Sequence, residues 1–214
     1  MTTLPKTPEN AEIEAFLKTA RDIQPAKTGG ERGRLILAMD ATMSRQPTWD
    51  RAISIQSEMF AEAARASGLE VQLVYFRGFN ECKASAWTSD AKGLARLMTK
   101  VDCRGGNTQI LRVLRHIAAE AGKKKVHAAV YIGDAVEEGI DGLCQQAGEI
   151  GLLGTPLFMF LEGQDTVAQQ AYREMARLTR GAFHRLDSGS PAILGQLLAA
   201  VAAYASGGKA ALER

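Results

Sequence analysis

Five oxygen-bearing side chains stand at three points of the sequence where their types and spacing could bind a metal ion. Asp40, Thr42 and Ser44 follow one another at intervals of two, directly after an apolar run. Thr108 comes shortly after a Gly-Gly pair, and Asp134 follows a Gly at the end of a later apolar run. Together they offer carboxylate and hydroxyl oxygens, which are ligands for a hard divalent cation.

Mg²⁺ prefers octahedral oxygen ligands, usually one or two carboxylates with hydroxyls and waters. Neutral Thr and Ser oxygens add no negative charge, so the ion stays electron-poor and keeps an affinity for one more acidic ligand. In the D-x-T-x-S turn the alternate residues point the same way, and Gly105 and Gly106 permit the close backbone approach that brings Thr108 to the ion. The sequence therefore predicts a Mg²⁺ site (Mn²⁺ or Ca²⁺ being alternative ions) that an Asp or Glu of a partner protein completes.

Strands and helices that alternate along the chain predict the scaffold of this site. Short continuous apolar runs are typical of buried strands, and apolar spacings of three and four residues are typical of amphipathic helices. The predicted strands cover residues 35–39, 71–76, 126–132, 156–161 and 182–185, with 82–87 as a hairpin partner of the second. The predicted helices cover residues 10–23, 47–67, 91–101, 108–121, 137–150, 166–179 and 191–205. This order implies a mainly parallel sheet covered by helices on both faces, with one antiparallel edge strand and right-handed crossovers.

Ligands of open α/β sheets bind at the carboxyl ends of the strands, so the three polar segments are expected to meet at one edge. In this order and context they resemble the metal-ion-dependent adhesion site of the von Willebrand factor type A (VWA) family. The family pattern is D-x-S-x-S, then a Thr in a loop, then an Asp after a later strand. Thr42 departs from it, because the family usually has Ser there; the hydroxyl is retained, but the added methyl group stiffens the rotamer.

The resemblance spans residues 33–205 and implies a Rossmann-like three-layer αβα sandwich. It also implies a non-enzymatic adaptor whose metal ion binds an acidic residue of a protein partner. Intracellular members of the family often work in larger assemblies, some with AAA-type ATPases, and the resemblance extends that expectation to this chain.

Four further residues lie beside the predicted ligands. Arg45, Arg104 and Asn107 flank them in the sequence, and Glu137 follows shortly after Asp134. From this adjacency we predict that they form a rim that selects the partner. Glu137 also opens the predicted helix at 137–150, where an acidic residue favours the helix dipole.

A phosphohydrolase of the haloacid dehalogenase type is the main alternative. Such enzymes place an Asp nucleophile after the first strand, here Asp40, and a Gly-Asp that binds Mg²⁺ after a later strand, here Asp134. The basic run at residues 123–125 stands where they often hold a phosphate-binding Lys. Against this, position 42 lacks the second Asp that serves as general acid, and Thr cannot transfer that proton at neutral pH. Each ligand taken alone could also be a helix cap.

Composition narrows the remaining classes of function. The chain has 214 residues and a net charge of +2, which argues against a nucleic-acid-binding face. Its three Cys residues are scattered, as expected of free thiols in a reducing compartment, and the N-terminus lacks the pattern of a signal peptide. The long uncharged stretch at 188–208 is too rich in Ala and Gly for a membrane span. We therefore expect a cytoplasmic protein with an N-terminal helix and linker (1–32), a VWA-like domain (33–205) and a polar tail (206–214).

Overall fold

The structure, a computed structural model, describes residues 13–18, 31–63, 68–186 and 191–207. Residues 13–18 are helical and are called α1. The strands are β1 (Gly33–Asp40), β2 (Leu69–Arg77), β3 (Glu81–Ala84), β4 (Ala128–Gly133), β5 (Leu157–Glu162) and β6 (Ala182–Leu186). The further helices are α2 (Gln46–Ala63), α3 (Ala91–Met98), α4 (Ile110–Lys123), α5 (Ile140–Leu152), α6 (Thr166–Leu178) and α7 (Pro191–Ala205). A short 3-10 turn, Met43–Arg45, joins β1 to α2.

The sheet has the strand order β3-β2-β1-β4-β5-β6. The edge strand β3 pairs with β2 in antiparallel fashion, and the other pairs are parallel. Central β1 sets Leu35 opposite Val71 of β2 and opposite Ala128 of β4. The prediction of a mainly parallel sheet with one antiparallel edge strand is confirmed.

Two apolar cores lie on the two faces of the sheet, because successive side chains of a strand point in opposite directions. All eight residues of β1 are buried. Leu37 faces the core formed with α1, α2, α3 and α7, whereas Ile36 faces the core formed with α4, α5 and α6. A strand covered on both faces needs apolar residues at consecutive positions, which explains the unbroken run at residues 35–39. The result is a three-layer αβα sandwich.

The helix α1 packs on this sandwich through two buried residues, Ile13 and Phe16. The ring of Phe16 lies 5.3 Å from that of Phe160 and 6.0 Å from that of Phe158. Complete burial of one Phe side chain contributes about 2–3 kcal/mol. The predicted docking of an N-terminal helix is thus confirmed for residues 13–18. Most of the predicted linker and residues 208–214 lie outside the described residues, and the domain boundaries stay a prediction.

Two helix boundaries differ from the prediction in ways that matter for the site. The helix predicted at 108–121 is α4, which begins at Ile110 and includes Gly122, the residue expected to end it. The helix predicted at 137–150 is α5, which begins only at Ile140. Residues 134–139 therefore form a loop at the carboxyl edge of the sheet. In the described parts of the chain, no helix combines the length and apolar character needed to cross a bilayer.

Candidate metal centre

Three carboxylates stand at the carboxyl ends of three neighbouring strands. Asp40 is the last residue of β1, Asp134 directly follows β4, and Glu162 is the last residue of β5. Because these strands are parallel and adjacent, their ends meet at one edge. Asp40 and Asp134 were predicted as ligands from the sequence, whereas Glu162 was not. An acidic residue closing the apolar run at 157–161 was the available signal.

Asp40 is only 2% exposed. Its Oδ1 accepts a hydrogen bond from the backbone N–H of Thr42 over 2.7 Å, which holds the turn after β1 against the strand end. Burial raises the pKa of Asp40 from 3.8 to about 6, because the charged form loses hydration; the Thr42 hydrogen bonds oppose this shift in part. The side chain is thus a desolvated carboxylate at neutral pH, a group that gains from a nearby cation.

The hydroxyls of the turn form a chain of contacts that ends on the second carboxylate. Thr42 Oγ1 lies 3.3 Å from Ser44 Oγ, and Ser44 Oγ donates to Asp134 Oδ2 over 3.0 Å. In an octahedron with Mg–O bonds of about 2.1 Å, neighbouring ligand oxygens are about 3.0 Å apart. Ser44 Oγ therefore already has the spacing of an adjacent Mg²⁺ ligand to Thr42 Oγ1 on one side and to Asp134 Oδ2 on the other.

The loop that carries Thr108 is held at the same edge by two close backbone contacts. Arg104 N donates to Ala41 O over 3.0 Å. Gly106 lies so close to the β2–β3 turn that a Cβ atom at this position would overlap the carbonyl oxygen of Gly78. The loop therefore fits between the turn after β1 and the β2–β3 turn only because residue 106 is glycine.

Thr108 itself is bonded to the loop after β4. Its backbone N–H donates to Glu137 Oε2 over 2.7 Å, and its Oγ1 accepts from Glu137 N over 3.1 Å. Next to it, Glu138 accepts hydrogen bonds from Ile110 N (2.5 Å) and Leu111 N (2.9 Å), two amides in the first turn of α4. The expectation that Glu137 opens its own helix is wrong. The two acidic residues instead accept hydrogen bonds from the backbone amides of residues 108, 110 and 111. Two of these amides lie at the N-terminus of a different helix, α4.

Arg45 reaches between two of the three carboxylates. Its Nε lies 3.1 Å from Asp134 Oδ2, and its Nη1 lies 2.7 Å from Glu162 Oε2. The hydroxyl of Thr48, in the first turn of α2, also donates to Glu162 Oε2. The side chains of Arg45 and Glu162 are each only 11% exposed. A guanidinium thus lies inside the candidate site, where it neutralises part of the carboxylate charge.

The other residues predicted for the rim lie in exposed positions. Arg104 and Asn107 are exposed on the loop before α4, and Arg104 Nε is bonded to Asp102 Oδ2 over 2.7 Å. Glu137 is exposed while it binds Thr108. Arg45 differs from them, because its guanidinium points inward. The role of these four residues in selecting a partner stays a prediction.

A tyrosine pair lies behind the end of β4. The rings of Tyr131 and Tyr172 meet edge to face with centroids 5.4 Å apart, and Tyr172 donates to Ala135 O over 3.1 Å. A Cβ atom at Gly133 would lie 2.8 Å from either hydroxyl oxygen. Burial raises the pKa of both phenols, so they stay neutral. Because residue 133 is glycine, the two neutral tyrosine hydroxyls can pack against the backbone directly before Asp134.

The donor set fits a hard cation that accepts hydroxyl ligands. Within the described ranges, His, Cys, Asp and Glu side chains form no group of three that could hold a metal ion. An ion at this edge therefore depends on hydroxyls beside the carboxylates, a set suited to Mg²⁺ rather than to Zn²⁺. Thr42, Ser44 and Asp134 meet this requirement by their contacts, and Asp40 adjoins them. Thr108 belongs to the same edge, although its recorded hydrogen bonds are to Glu137.

The structure gives no support to the phosphohydrolase alternative. The basic run at 123–125 lies at the end of α4, before β4, and hence at the opposite edge of the sheet from Asp40. There Lys125 Nζ donates to Leu153 O (2.9 Å) and Gly154 O (2.5 Å), in the turn before β5. A phosphate bound at Asp40 would therefore be out of its reach.

Comparison with solved structures decides the fold family. The VWA domain of SpRpn10 superposes with a TM-score of 0.62 at 15% identity, covering 78% of this chain and 93% of that one. The chain has the von Willebrand factor type A fold. A VWA protein from Catenulispora acidiphila (TM-score 0.64, 13% identity) is matched over 81% of this chain, which spans 42% of that protein. The TFIIH p34 N-terminal domain (TM-score 0.59, 16% identity) is matched over 81% of this chain and 99% of its own length.

At these identities the similarity establishes the VWA fold and nothing finer. No family model matches the chain, and no curated protein matches it in sequence. The chemistry of the site must therefore be argued from its own residues.

Proposed function

We propose that this chain is a cation-dependent protein-binding module. Asp40, Thr42, Ser44, Thr108 and Asp134 would hold Mg²⁺ (or Mn²⁺ or Ca²⁺) directly or through water. The observation that carries the proposal is the contact chain from Thr42 through Ser44 to Asp134, which has the spacing of adjacent Mg²⁺ ligands and lies beside a buried carboxylate. Bound there, the cation would supply an open coordination position for an Asp or Glu of a partner.

The chain's own residues prepare this position. Asp40 holds the turn after β1 through the Thr42 N–H, so that the two hydroxyls of the turn lie on one side. Thr108 joins the loop before α4 to the loop after β4 at the same edge of the sheet. The site would therefore recognise an acidic group through the cation that these oxygens hold, and it needs no nucleophile.

Two exposed apolar side chains lie in the turns at this edge of the sheet and suit it to a protein partner. Met43, between the two hydroxyl residues, is 65% exposed, and Phe79, in the β2–β3 turn, is 73% exposed. The loop that carries Arg104 and Gly106 lies between their two turns. Aromatic residues and Met are enriched in the cores of protein interfaces. The fitting partner is a segment with one acidic residue flanked by apolar ones.

A place in a larger assembly, including one with an AAA-type ATPase, and a cytoplasmic location belong to the same proposal. They rest on the resemblance of the sequence to intracellular VWA proteins. No contact of the described residues bears on them.

Calorimetric titration with Mg²⁺ and Mn²⁺ tests the metal site. Wild type should bind the ion, and Ser44→Ala, which removes the hydroxyl between Thr42 and Asp134, should weaken binding about tenfold or more. Thr99→Ala is the matched control, because that hydroxyl bonds to Arg96 O at the end of α3 and lies outside the site. Absence of binding by wild type, or equal binding by Ser44→Ala, would contradict the proposal.

Peptide display in Mg²⁺ and in EDTA tests the partner chemistry. Enriched peptides should contain Asp or Glu beside apolar residues, and their binding should be lost in EDTA and in Ser44→Ala. Peptides without an acidic residue, or peptides insensitive to EDTA, would refute the partner assignment. Incubation with p-nitrophenyl phosphate and Mg²⁺ should give no turnover; turnover abolished by Asp40→Asn would restore the phosphohydrolase alternative.

A further inference from the structure

Arg45 occupies a position that the proposed metal ion has to compete for. Asp134 Oδ2 accepts a hydrogen bond from Ser44 Oγ (3.0 Å) and forms an ion pair with Arg45, whose Nε lies 3.1 Å away. The Nε–H of Arg45 donates to Ser44 Oγ over 3.5 Å. Arg45 therefore contacts two of the proposed ligands, through its charge at Asp134 and through a hydrogen bond at Ser44. A cation that binds both oxygens has to replace these contacts of the guanidinium.

Glu162 provides the place to which Arg45 can withdraw. The guanidinium already contacts Glu162 Oε2 through Nη1 over 2.7 Å, a shorter distance than its contact to Asp134. Thr48 donates to the same Glu162 oxygen, which holds this carboxylate in position from α2. The side chain of Glu162 is also more buried than that of Asp134, 11% against 25% exposed. The Glu162 contact is therefore the shorter and more buried of the two, and Arg45 can keep it when the Asp134 contact is broken.

We propose that Arg45 is an internal counter-ion that binds Asp134 in the metal-free site and that a divalent cation displaces it onto Glu162 alone. The guanidinium lowers the affinity of the site for a divalent cation, since the cation must break the Asp134 contact and remain close to a positive charge. In return, it compensates the clustered carboxylates when no cation is bound. This inference rests on the proposed metal site, whose failure the experiment below separates from its own.

Mn²⁺ binding, followed through the EPR signal of the free ion, measures the competition. Arg45→Gln removes the charge and keeps a polar side chain, and it should bind Mn²⁺ about tenfold more tightly than wild type, since a dication and a guanidinium about 6 Å apart in a water-like dielectric repel by about one tenfold step. Arg177→Gln is the matched control, because Arg177 pairs with Glu174 on the exposed surface of α6, outside the site. Its affinity should change by less than about threefold.

The outcomes separate the two proposals. Tighter binding by Arg45→Gln supports the counter-ion, and so does binding by this variant alone. If wild type and Arg177→Gln bind while Arg45→Gln binds equally or more weakly, the counter-ion is wrong and the metal site stands. If none of the three proteins binds Mn²⁺, both proposals fail.

A measurement on the wild-type protein keeps the test decisive if Arg45→Gln does not fold. The Nε–H of Arg45 gives its own signal in ¹H–¹⁵N spectra and is assigned by its loss in Arg45→Lys. On titration with Mg²⁺ it should shift and exchange faster with solvent, because its contacts to Ser44 and Asp134 are lost, whereas the Nε–H of Arg177, which donates to Glu174 on α6, should stay unchanged. An Arg45 signal that does not move at saturating Mg²⁺ would overturn the counter-ion.

Discussion

Replacing Asp40 by Asn should stabilise the metal-free protein at neutral pH. Asp40 is buried at the end of β1, and burial raises its pKa from 3.8 to about 6. Between these two values the native protein binds a proton that the unfolded chain has released. The free energy of unfolding therefore falls as the pH rises through this window. A difference of about two pKa units corresponds to about 3 kcal/mol. Ionisation of Asp40 therefore lowers the free energy of unfolding by this amount, and the effect is fully present above about pH 6.

The amide of Asn carries no charge and avoids this cost, while its oxygen can still accept the Thr42 N–H. The pKa of about 6 already includes the opposing effect of the Thr42 hydrogen bonds on the charged form, so this bond requires no further deduction. We therefore expect Asp40→Asn to be about 2–3 kcal/mol more stable than wild type at pH about 7.5, and the advantage to vanish near pH 4. Addition of Mg²⁺ should stabilise wild type and leave the variant unchanged, because only wild type retains the carboxylate ligand.

Urea denaturation in EDTA at the two pH values measures the free energy of unfolding of both proteins. The dependence of this free energy on urea concentration (the m-value) must be equal for the comparison to hold. Asp50→Asn is the matched control: Asp50 is exposed and bonded to Gln46 Nε2, so its replacement should change stability by less than about 0.5 kcal/mol. A variant less stable than wild type at the higher pH would refute the assigned cost of ionising Asp40. So would a difference of the same size at both pH values.

Three further substitutions test the scaffold of the site by urea denaturation. Gly106→Ala places a methyl group on the carbonyl oxygen of Gly78. It should therefore destabilise the protein by about 1–3 kcal/mol and weaken Mg²⁺ binding. Unchanged stability would show that the loop before α4 does not lie against the β2–β3 turn. Glu138→Ala removes the acceptor of two amides of α4 and should cost about 1–2 kcal/mol, whereas a loss below about 0.5 kcal/mol would show that water replaces the carboxylate. Trp49→Phe removes the buried hydrogen bond from Nε1 to Met98 O, which is 3.1 Å long. The free energy of unfolding should fall by about 1–2 kcal/mol. An unchanged free energy of unfolding would exclude this hydrogen bond as a stabilising link between α2 and α3.

The order of strands and helices was predictable because each element carries its own periodicity. The unbroken apolar run of β1 requires two covered faces, and the apolar spacing of the helices gives the covering layers. The meeting of Asp40 and Asp134 was predictable for the same reason, since the ends of adjacent parallel strands lie at one edge. Helix starts were less accurate: α5 begins at Ile140, because Glu137 and Glu138 bond outside their own helix and leave the preceding residues in a loop.

The amino-acid sequence alone determined the layers, the edge at which the polar residues gather and the oxygen-rich character of the proposed ligands, because these depend on burial and turn chemistry among neighbouring residues. Only the tertiary structure decided how the charges at that edge compensate one another. Arg45 meets Glu162, which lies 117 positions later in the chain, and Thr108 bonds to Glu137 of another loop. Such pairs depend on which strand ends and loops the packing brings together. The spacing of residues along the chain does not predict them. The structure thus shows that the guanidinium of Arg45 lies among the oxygens that the sequence predicts as ligands.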